Sequence, residues 1–348
     1  MISEIVHGSE PDIYPGAVAL IVRSNVYGKP IVVGDAVRYA DDSLTPAADL
    51  VPMRADTIFD IASLTKLFTA TVLMSLVEEG ALSLDDKAAR WLPELPDSIT
   101  LRHLLTHTSG LPAHIRLWEI ASSYSECRRA LLTAPLSGPP GTVFAYSCLG
   151  YISAGWVAEE ITGTPLRQLV ADRVCRPLGL SDTGFLPSIE LIDRIAATEY
   201  QPYTGRGMVR GSVHDENSWR LGGAVGNAGI FSTAADLARF GEMLLLGGSV
   251  DGVRVLNAES VAEMCTDQIS PTLDPGYRQG IGPRIGDQSF MGGLASLAAV
   301  GHTGFTGTSL VVDHNRDLVI VLLTNRVHPS RERSSVVAVR QQLANACR

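Results

Sequence analysis

The chain has 348 residues, with 28 Lys and Arg against 37 Asp and Glu and a formal charge of −9 at pH 7; this acidic balance, without clustered basic residues, argues against nucleic-acid binding. Lysine occurs only at Lys29, Lys66 and Lys87, every other basic residue being arginine. A hydrophobic fraction of 45% with 19% charged residues excludes wholesale disorder, and the length predicts one large or two ordinary domains.

From Met1 to Tyr14 there is no basic segment followed by an apolar one, so the start of the chain does not read as a secretory signal. No apolar run reaches the roughly 18 residues that a membrane span needs. Cys127, Cys148, Cys175, Cys265 and Cys347 are widely spaced, with no CxxC pair. A soluble cytoplasmic protein with no membrane contact is the expectation, and the sequence is silent on oligomeric state.

Gly16–Arg23 and Ile31–Arg38 alternate and branch as strands, and Tyr27-Gly28-Lys29-Pro30 between them predicts a hairpin turn. From Ser63 to Glu79 the period becomes helical, with Leu64, Leu67, Phe68, Val72, Leu76 and Val77 at helical spacing and Gly80 as a C-terminal cap. Further helices are predicted at 101–106 and at 149–161 before Gly163. Another starts behind Thr164-Pro165, and one runs over 233–246 with Ser232 as its cap. Pro135 to Gly141 reads as a loop. Gly307–Asp313 and Leu318–Thr324 are β-branched runs around the turn His314–Asp317, and Ser330 to Ala346 predicts a closing helix. The expected fold class is α+β, an antiparallel sheet flanked by helices and formed by both chain ends with an all-helical region beside it. The expected organisation is a single catalytic unit, residues 1–62 and 250–348 forming the sheet region and 63–249 the mainly helical region, with a cleft at the junction.

Three short motifs carry chemistry. In Ser63-Leu64-Thr65-Lys66, positions i and i+3 share a helix face, so the lysine amine can reach the serine hydroxyl at the positive end of the helix. The apolar residues Leu64, Leu67 and Phe68 predict a lowered Lys66 pKa, which lets the amine help deprotonate Ser63. A helix cap plus a surface lysine would give the same tetrapeptide, but a lysine is rare in this chain. Tyr146-Ser147-Cys148 follows a Pro/Gly loop and offers a phenol that can serve as general base, or simply a buried tyrosine. Gly301-His302-Thr303-Gly304-Phe305-Thr306-Gly307 opens a strand. Its small residues would let a substrate lie along the edge, and a plain glycine-rich turn is the alternative.

In this order and at these separations, the motifs resemble the serine β-lactamase and penicillin-binding-protein superfamily, in its class C β-lactamase-like branch of esterases and peptidases. The segments Leu101-Arg-His-Leu-Leu-Thr-His-Thr-Ser-Gly-Leu-Pro112 and Gly222 to Phe240 are similar to hallmark stretches of that branch, and the resemblance covers about residues 14–345. It implies an antiparallel sheet with a helical region beside it and the nucleophile at their junction. Ser63 would be acylated, Lys66 would be its proton partner and Tyr146 the general base and acid. His302, Thr303, Gly304 and Cys148 would lie along the substrate, and the backbone N–H groups of Ser63 and Phe305 would form the oxyanion hole. No metal or organic cofactor is implied.

Two positions depart from the pattern. Cys148 stands where the family has asparagine, replacing an amide with a weak thiol donor and acceptor. His302 stands where true β-lactamases have lysine, and a neutral imidazole anchors a β-lactam carboxylate poorly. His103 and His107 are spaced for a metal on a helix but are read as bonding loop backbone. His214-Asp215-Glu216-Asn217 reads as a polar loop that could line a cleft. The leading function is a serine acyl hydrolase acting on a small-molecule ester or amide. An acyltransferase and a non-catalytic binding module are the alternatives.

Overall fold

The computed structural model describes residues 2–269, 273, 276 and 278–348. Its main sheet runs in the order Arg284–Ile285, Ala299–Thr303, Ser309–Asp313, Leu318–Thr324, Gly16–Arg23, Ile31–Tyr39 and Pro46–Pro52, with the short strand Val26–Tyr27 also paired to Gly16–Arg23. Neighbours are antiparallel throughout. The join between the chain's two ends is central, Ala17 lying opposite Thr324 and Arg23 opposite Leu318. The α+β architecture expected from strands at both ends is the one observed.

Successive residues of a strand point to opposite faces, and here both faces are covered. Ala17, Ala19, Val311, Ile320 and Leu322 pack under the N- and C-terminal helices with Val6, Phe290, Val339 and Leu343. Val18, Leu20, Leu310, Val312, Val319 and Val321 face the other way, into the large core shared with the helical region. Double coverage explains why Leu318–Thr324 is hydrophobic without alternation and fully buried.

The helix Thr65–Glu78 runs through the centre of the molecule. Every residue from Thr65 to Leu76 is buried, so the helix expected from the periodicity is surrounded on all sides. Phe68 stacks on Phe240 of the helix Ala234–Leu245 at 4.2 Å between ring centroids. Gly80 (φ +70°) follows the helix, as expected of a C-terminal cap. The helix Cys148–Thr162 ends on Gly163 in the left-handed conformation.

Three local expectations are corrected. The first hairpin turns at Ser24-Asn25, both with positive φ, and Val22 pairs with Tyr27. A two-residue turn that matches strand twist needs positive φ at both positions, which Asn tolerates. The helix Ala234–Leu245 is capped by Thr233, whose side chain accepts from Asp236 N, because Ser232 belongs to the strand Ile230–Ser232 and pairs its hydroxyl with Thr183. The closing helix is only Val337–Ala346. The carbonyls of Arg331 and Ser334 are taken by Arg326 Nη1, and the amide of Arg331 donates to Glu199, so the 330–336 segment is not helical.

Candidate active site

Ser63 lies in the short 3-10 turn Ala62–Leu64 that leads into the central helix. Ala62 is held at φ +48°, a conformation that costs an L-residue about 1 kcal/mol or more. Asp60 stabilises it: Oδ1 accepts from Ala62 N at 2.8 Å, and Oδ2 accepts from His214 N at 2.7 Å. Burial pushes the Asp60 carboxyl pKa up, against the pull of these amides and of His214. The turn 303–308 is bonded to the same loop, Thr306 Oγ1 donating to Asp60 O at 2.7 Å and Thr308 Oγ1 to Ile61 O at 3.1 Å. Only glycine fits at 304, since a Cβ there would meet Thr308 Oγ1 at 2.0 Å and Ile61 O at 2.5 Å. Gly304 N donates to Thr308 O, whereas the amides of Ser63 and Phe305 have no partner among the described residues.

Lys66 is fully buried, and its Nζ donates to Ser63 Oγ at 3.0 Å and to Asn227 O at 3.0 Å, with Cys148 Sγ at 3.7 Å. Burial pushes the ammonium pKa down, but Cys148, Tyr146 and Asp215 together outweigh it and the net direction is up. The lowered Lys66 pKa expected from apolar neighbours is therefore corrected: acidic partners, invisible in the local sequence, hold the proton on the amine. Asn227 comes from the Gly222–Phe240 segment. Thr65 Oγ1 accepts from Ile230 N and Thr69 Oγ1 donates to Gly226 O, so this segment is fastened along the nucleophile helix.

Tyr146 stands before the helix Cys148–Thr162, whose N-cap Ser147 accepts from Gly150 N. Lys66 Nζ is 5.1 Å from its ring centroid, and so is Arg284 Cζ. The turn after the helix Leu101–Leu105 grips this corner. His107 (φ +60°) accepts from Ala145 N through its carbonyl and from Ser147 N through Nδ1 at 3.0 Å, and its ring lies 4.4 Å from that of Tyr146. His103 Nδ1 accepts from Thr100 N in a capping box. Both histidines thus bond backbone.

His302 is brought into this cluster but not into the cavity. It is fully buried, its Nδ1 donates to Thr303 O at 2.8 Å, and its ring is 6.0 Å from that of Tyr146. Burial, then Arg284 and Lys66, push its pKa well below the usual histidine value. Contact between the His302 side chain and substrate, expected from the sequence, does not fit this burial. Positive charge on that side comes instead from residues the sequence reading missed. Arg284, Arg326 and Arg340 line a recess of about 330 Å³ that also touches Ser63, Tyr146, Thr303, Gly304 and Phe305. Arg340 donates to Gly304 O and Thr308 O; burial, then Arg326 and Arg284, lower its pKa to about 9.

On its other side Ser63 opens to a cavity of about 820 Å³, lined by Tyr146, Cys148, Phe305, Trp118 and Tyr203. Its outer wall is a charged network. Arg331 Nη2 reaches Glu199 Oε2 and Glu216 Oε1, each at 2.5 Å, and Tyr203 OH at 2.8 Å, while His214 Nε2 lies 2.8 Å from Glu199 Oε2. Although burial opposes it, hydrogen bonds from His214 and Arg331 hold the Glu199 carboxyl well below the usual carboxylate range. His214, Asp215 and Glu216 therefore line the cleft. Among the described residues no cluster of His, Cys, Asp and Glu is arranged to hold a metal ion, and no helix is long and apolar enough to cross a membrane.

The sequence pattern of the beta-lactamase family matches residues 14–344, nearly the whole chain that builds this site. The chain belongs to the beta-lactamase family. Among curated relatives of this beta-lactamase-family protein, one from Escherichia coli K12 with the provisional name D-alanyl-D-alanine carboxypeptidase is 33% identical, over 90% of this chain and 79% of its own. A relative from Salmonella schwarzengrund with the same name is 31% identical over the same shares. Among solved structures, EstCE1, titled a hydrolase with promiscuous acyltransferase activity, superposes with a TM-score of 0.76 at 24% identity, covering 99% of this chain and 97% of its own. The simvastatin synthase LovD of Aspergillus terreus has the same fold, with a TM-score of 0.76 at 20% identity and coverage of 99% and 96%.

Proposed function

We propose that the protein is a serine acyl hydrolase that acts on an ester or amide through an acyl-enzyme at Ser63. The observation that carries this reading is the 3.0 Å contact between Lys66 Nζ and Ser63 Oγ at the floor of an open cavity, with Tyr146 beside the same ammonium. A lysine that keeps its proton is a poor base, so the base in this reading is the phenolate of Tyr146, whose ring centroid lies 5.1 Å from the ammonium. The phenolate takes the proton of Ser63 Oγ as the oxygen attacks the carbonyl carbon. In this reading the amides of Ser63 and Phe305 receive the developing oxyanion. Tyr146 then returns the proton to the leaving alcohol or amine as the carbonyl re-forms, and water releases the acyl group by the same steps. This sequence of steps calls on no cofactor. The arginine-lined recess suits a substrate that carries an anionic group on that side, a feature shared by any carboxypeptidase substrate.

The test is mass spectrometry after exposure to a fluorophosphonate or a p-nitrophenyl ester. An adduct on Ser63 that is absent in Ser63→Ala is expected, and an unlabelled Ser63 would overturn the reading. Transfer to an alcohol or amine is the second reading, favoured by a cavity large enough to hold an acceptor beside the acyl group. Ester or amide product formed in the presence of added nucleophile would support it.

A further inference from the structure

Tyr146 faces charged or titratable groups from every side. Lys66 comes from the nucleophile helix, Arg284 from the edge strand, His302 from the strand Ala299–Thr303, His107 from the turn after the helix Leu101–Leu105 and Cys148 from the start of its own helix. The two imidazoles have hydrogen-bond partners that fix their tautomers. A backbone N–H can only donate, so Nδ1 of His107 is a lone pair and its Nε2 carries the proton. A carbonyl can only accept, so Nδ1 of His302 carries the proton and its Nε2 is the lone pair. Both Nε2 atoms are buried and have no partner among the described residues. One is a donor and the other an acceptor, and both rings lie against the same phenol.

We propose that His107 and His302 are positioning residues for Tyr146, two neutral imidazoles of opposite polarity that orient its hydroxyl toward Lys66 and Ser63 without contacting substrate. Neutrality matters because Lys66 and Arg284 already place two positive charges beside the phenol. Burial is the main cause that pushes both histidines well below their usual pKa. His302 thereby changes from a substrate anchor to a support for the proton acceptor. The inference rests on Tyr146 as the base in the proposed function.

The experiment is steady-state kinetics of the full chain with a p-nitrophenyl ester, with Ser63 labelling and thermal melting measured in parallel. His302→Leu is expected to lower kcat by about 10- to 100-fold with KM changed less than about 2-fold, since loss of orientation acts on the chemical step. His302→Gln, which keeps a polar acceptor on a side chain of similar reach, is expected to recover much of that loss even if the leucine variant melts lower. His302→Lys would add a third cation behind the phenol and is expected to move the acidic limb of the kcat/KM profile to lower pH. A rise in KM with kcat unchanged would overturn the proposal in favour of substrate contact, and an unchanged kcat in a folded His302→Leu would overturn it outright. Tyr146→Phe separates the two readings. Undiminished Ser63 labelling in that variant removes the proposed base, whereas lost labelling there with a silent His302→Leu defeats this inference alone.

Discussion

The two walls that meet at Ser63 are built by opposite physics. The inner wall, comprising the 60–63 loop, the turn 303–308 and the His107–Tyr146–His302 cluster, is held by hydrogen bonds between backbone and the side chains of Asp60, Thr306, Thr308 and Arg340, and by close approach that leaves no space for a Cβ at Gly304. The outer wall of the large cavity is held by paired charges, with Arg331 joined to Glu199 and Glu216 and Tyr203 bonded to Glu216. A wall set by close approach of backbone fails through steric change. One of ion pairs tolerates small shape changes and fails when a partner loses its charge. The reacting groups stand on the inner wall, and the larger cavity beside Ser63 is bounded by the outer one.

That contrast can be tested from its strongest point downward. Ser63→Ala should abolish covalent labelling, and Lys66→Arg should lower it by at least about 100-fold, because the planar guanidinium cannot reproduce the buried contacts of the ammonium. Intact labelling in either would move the chemistry away from the inner wall. Gly304→Val should destabilise the fold by about 1–3 kcal/mol in chemical denaturation and displace the oxyanion amides. An equally stable, active variant would show the close approach to be dispensable. Glu199→Gln should cost about 1–3 kcal/mol by leaving Arg331 and His214 short of a charged acceptor, with Ser63 labelling largely kept.

The two walls should also respond to acid in different windows. His107 and His302 have folded pKa values below the unfolded value of about 6.5, as does the buried His328, which is pushed down to about 4. The unfolded chain therefore binds more protons than the folded one as pH falls below about 6.5. Stability is full above that value and falls toward pH 4 with a slope of up to about 1.4 kcal/mol per pH unit for each such group. Glu199 acts the other way in charge but the same in direction, its contribution being present above the unfolded carboxyl value of about 4.3 and lost only as pH falls further. Melting curves from pH 8 to pH 4 should decline first between about 6.5 and 4.5, and His302→Gln should flatten that first decline by removing one histidine. A flat curve down to pH 4.5 would contradict the neutral, buried state of the inner-wall histidines. The smallest expected effect is that of Cys148→Ser, which keeps a small polar group near Lys66 and should leave melting within about 0.5 kcal/mol of the parent.

Much of this molecule is legible from local pattern. The period change at Ser63, the glycines after each long helix and the β-branched runs at both ends are read directly, because 3.6- and 2-residue periods and cap chemistry depend on neighbours in the chain. The Ser63–Lys66 contact is legible for the same reason, since three residues on a helix bring two side chains to one face. The hairpin turn was misplaced because Ser24 and Asn25 are an inconspicuous pair beside Gly28 and Pro30. The closing helix was overextended because the carbonyls that would continue it are claimed by Arg326, five and eight residues away and outside any helical register.

The sequence by itself determined the sheet-forming ends, the helical middle, the family and the residues available for acyl chemistry, all properties set by order and spacing along the chain. The tertiary structure alone decided the protonation of Lys66, the withdrawal of His302 behind Tyr146, the arginines of the recess and the carboxylates of the outer wall. Each of these depends on groups that are distant in sequence and adjacent in space, as Lys66 is to Cys148, 82 residues away, or Glu199 to Arg331, 132 residues away. Electrostatic energy and burial follow distance in space, and only the fold assigns that distance.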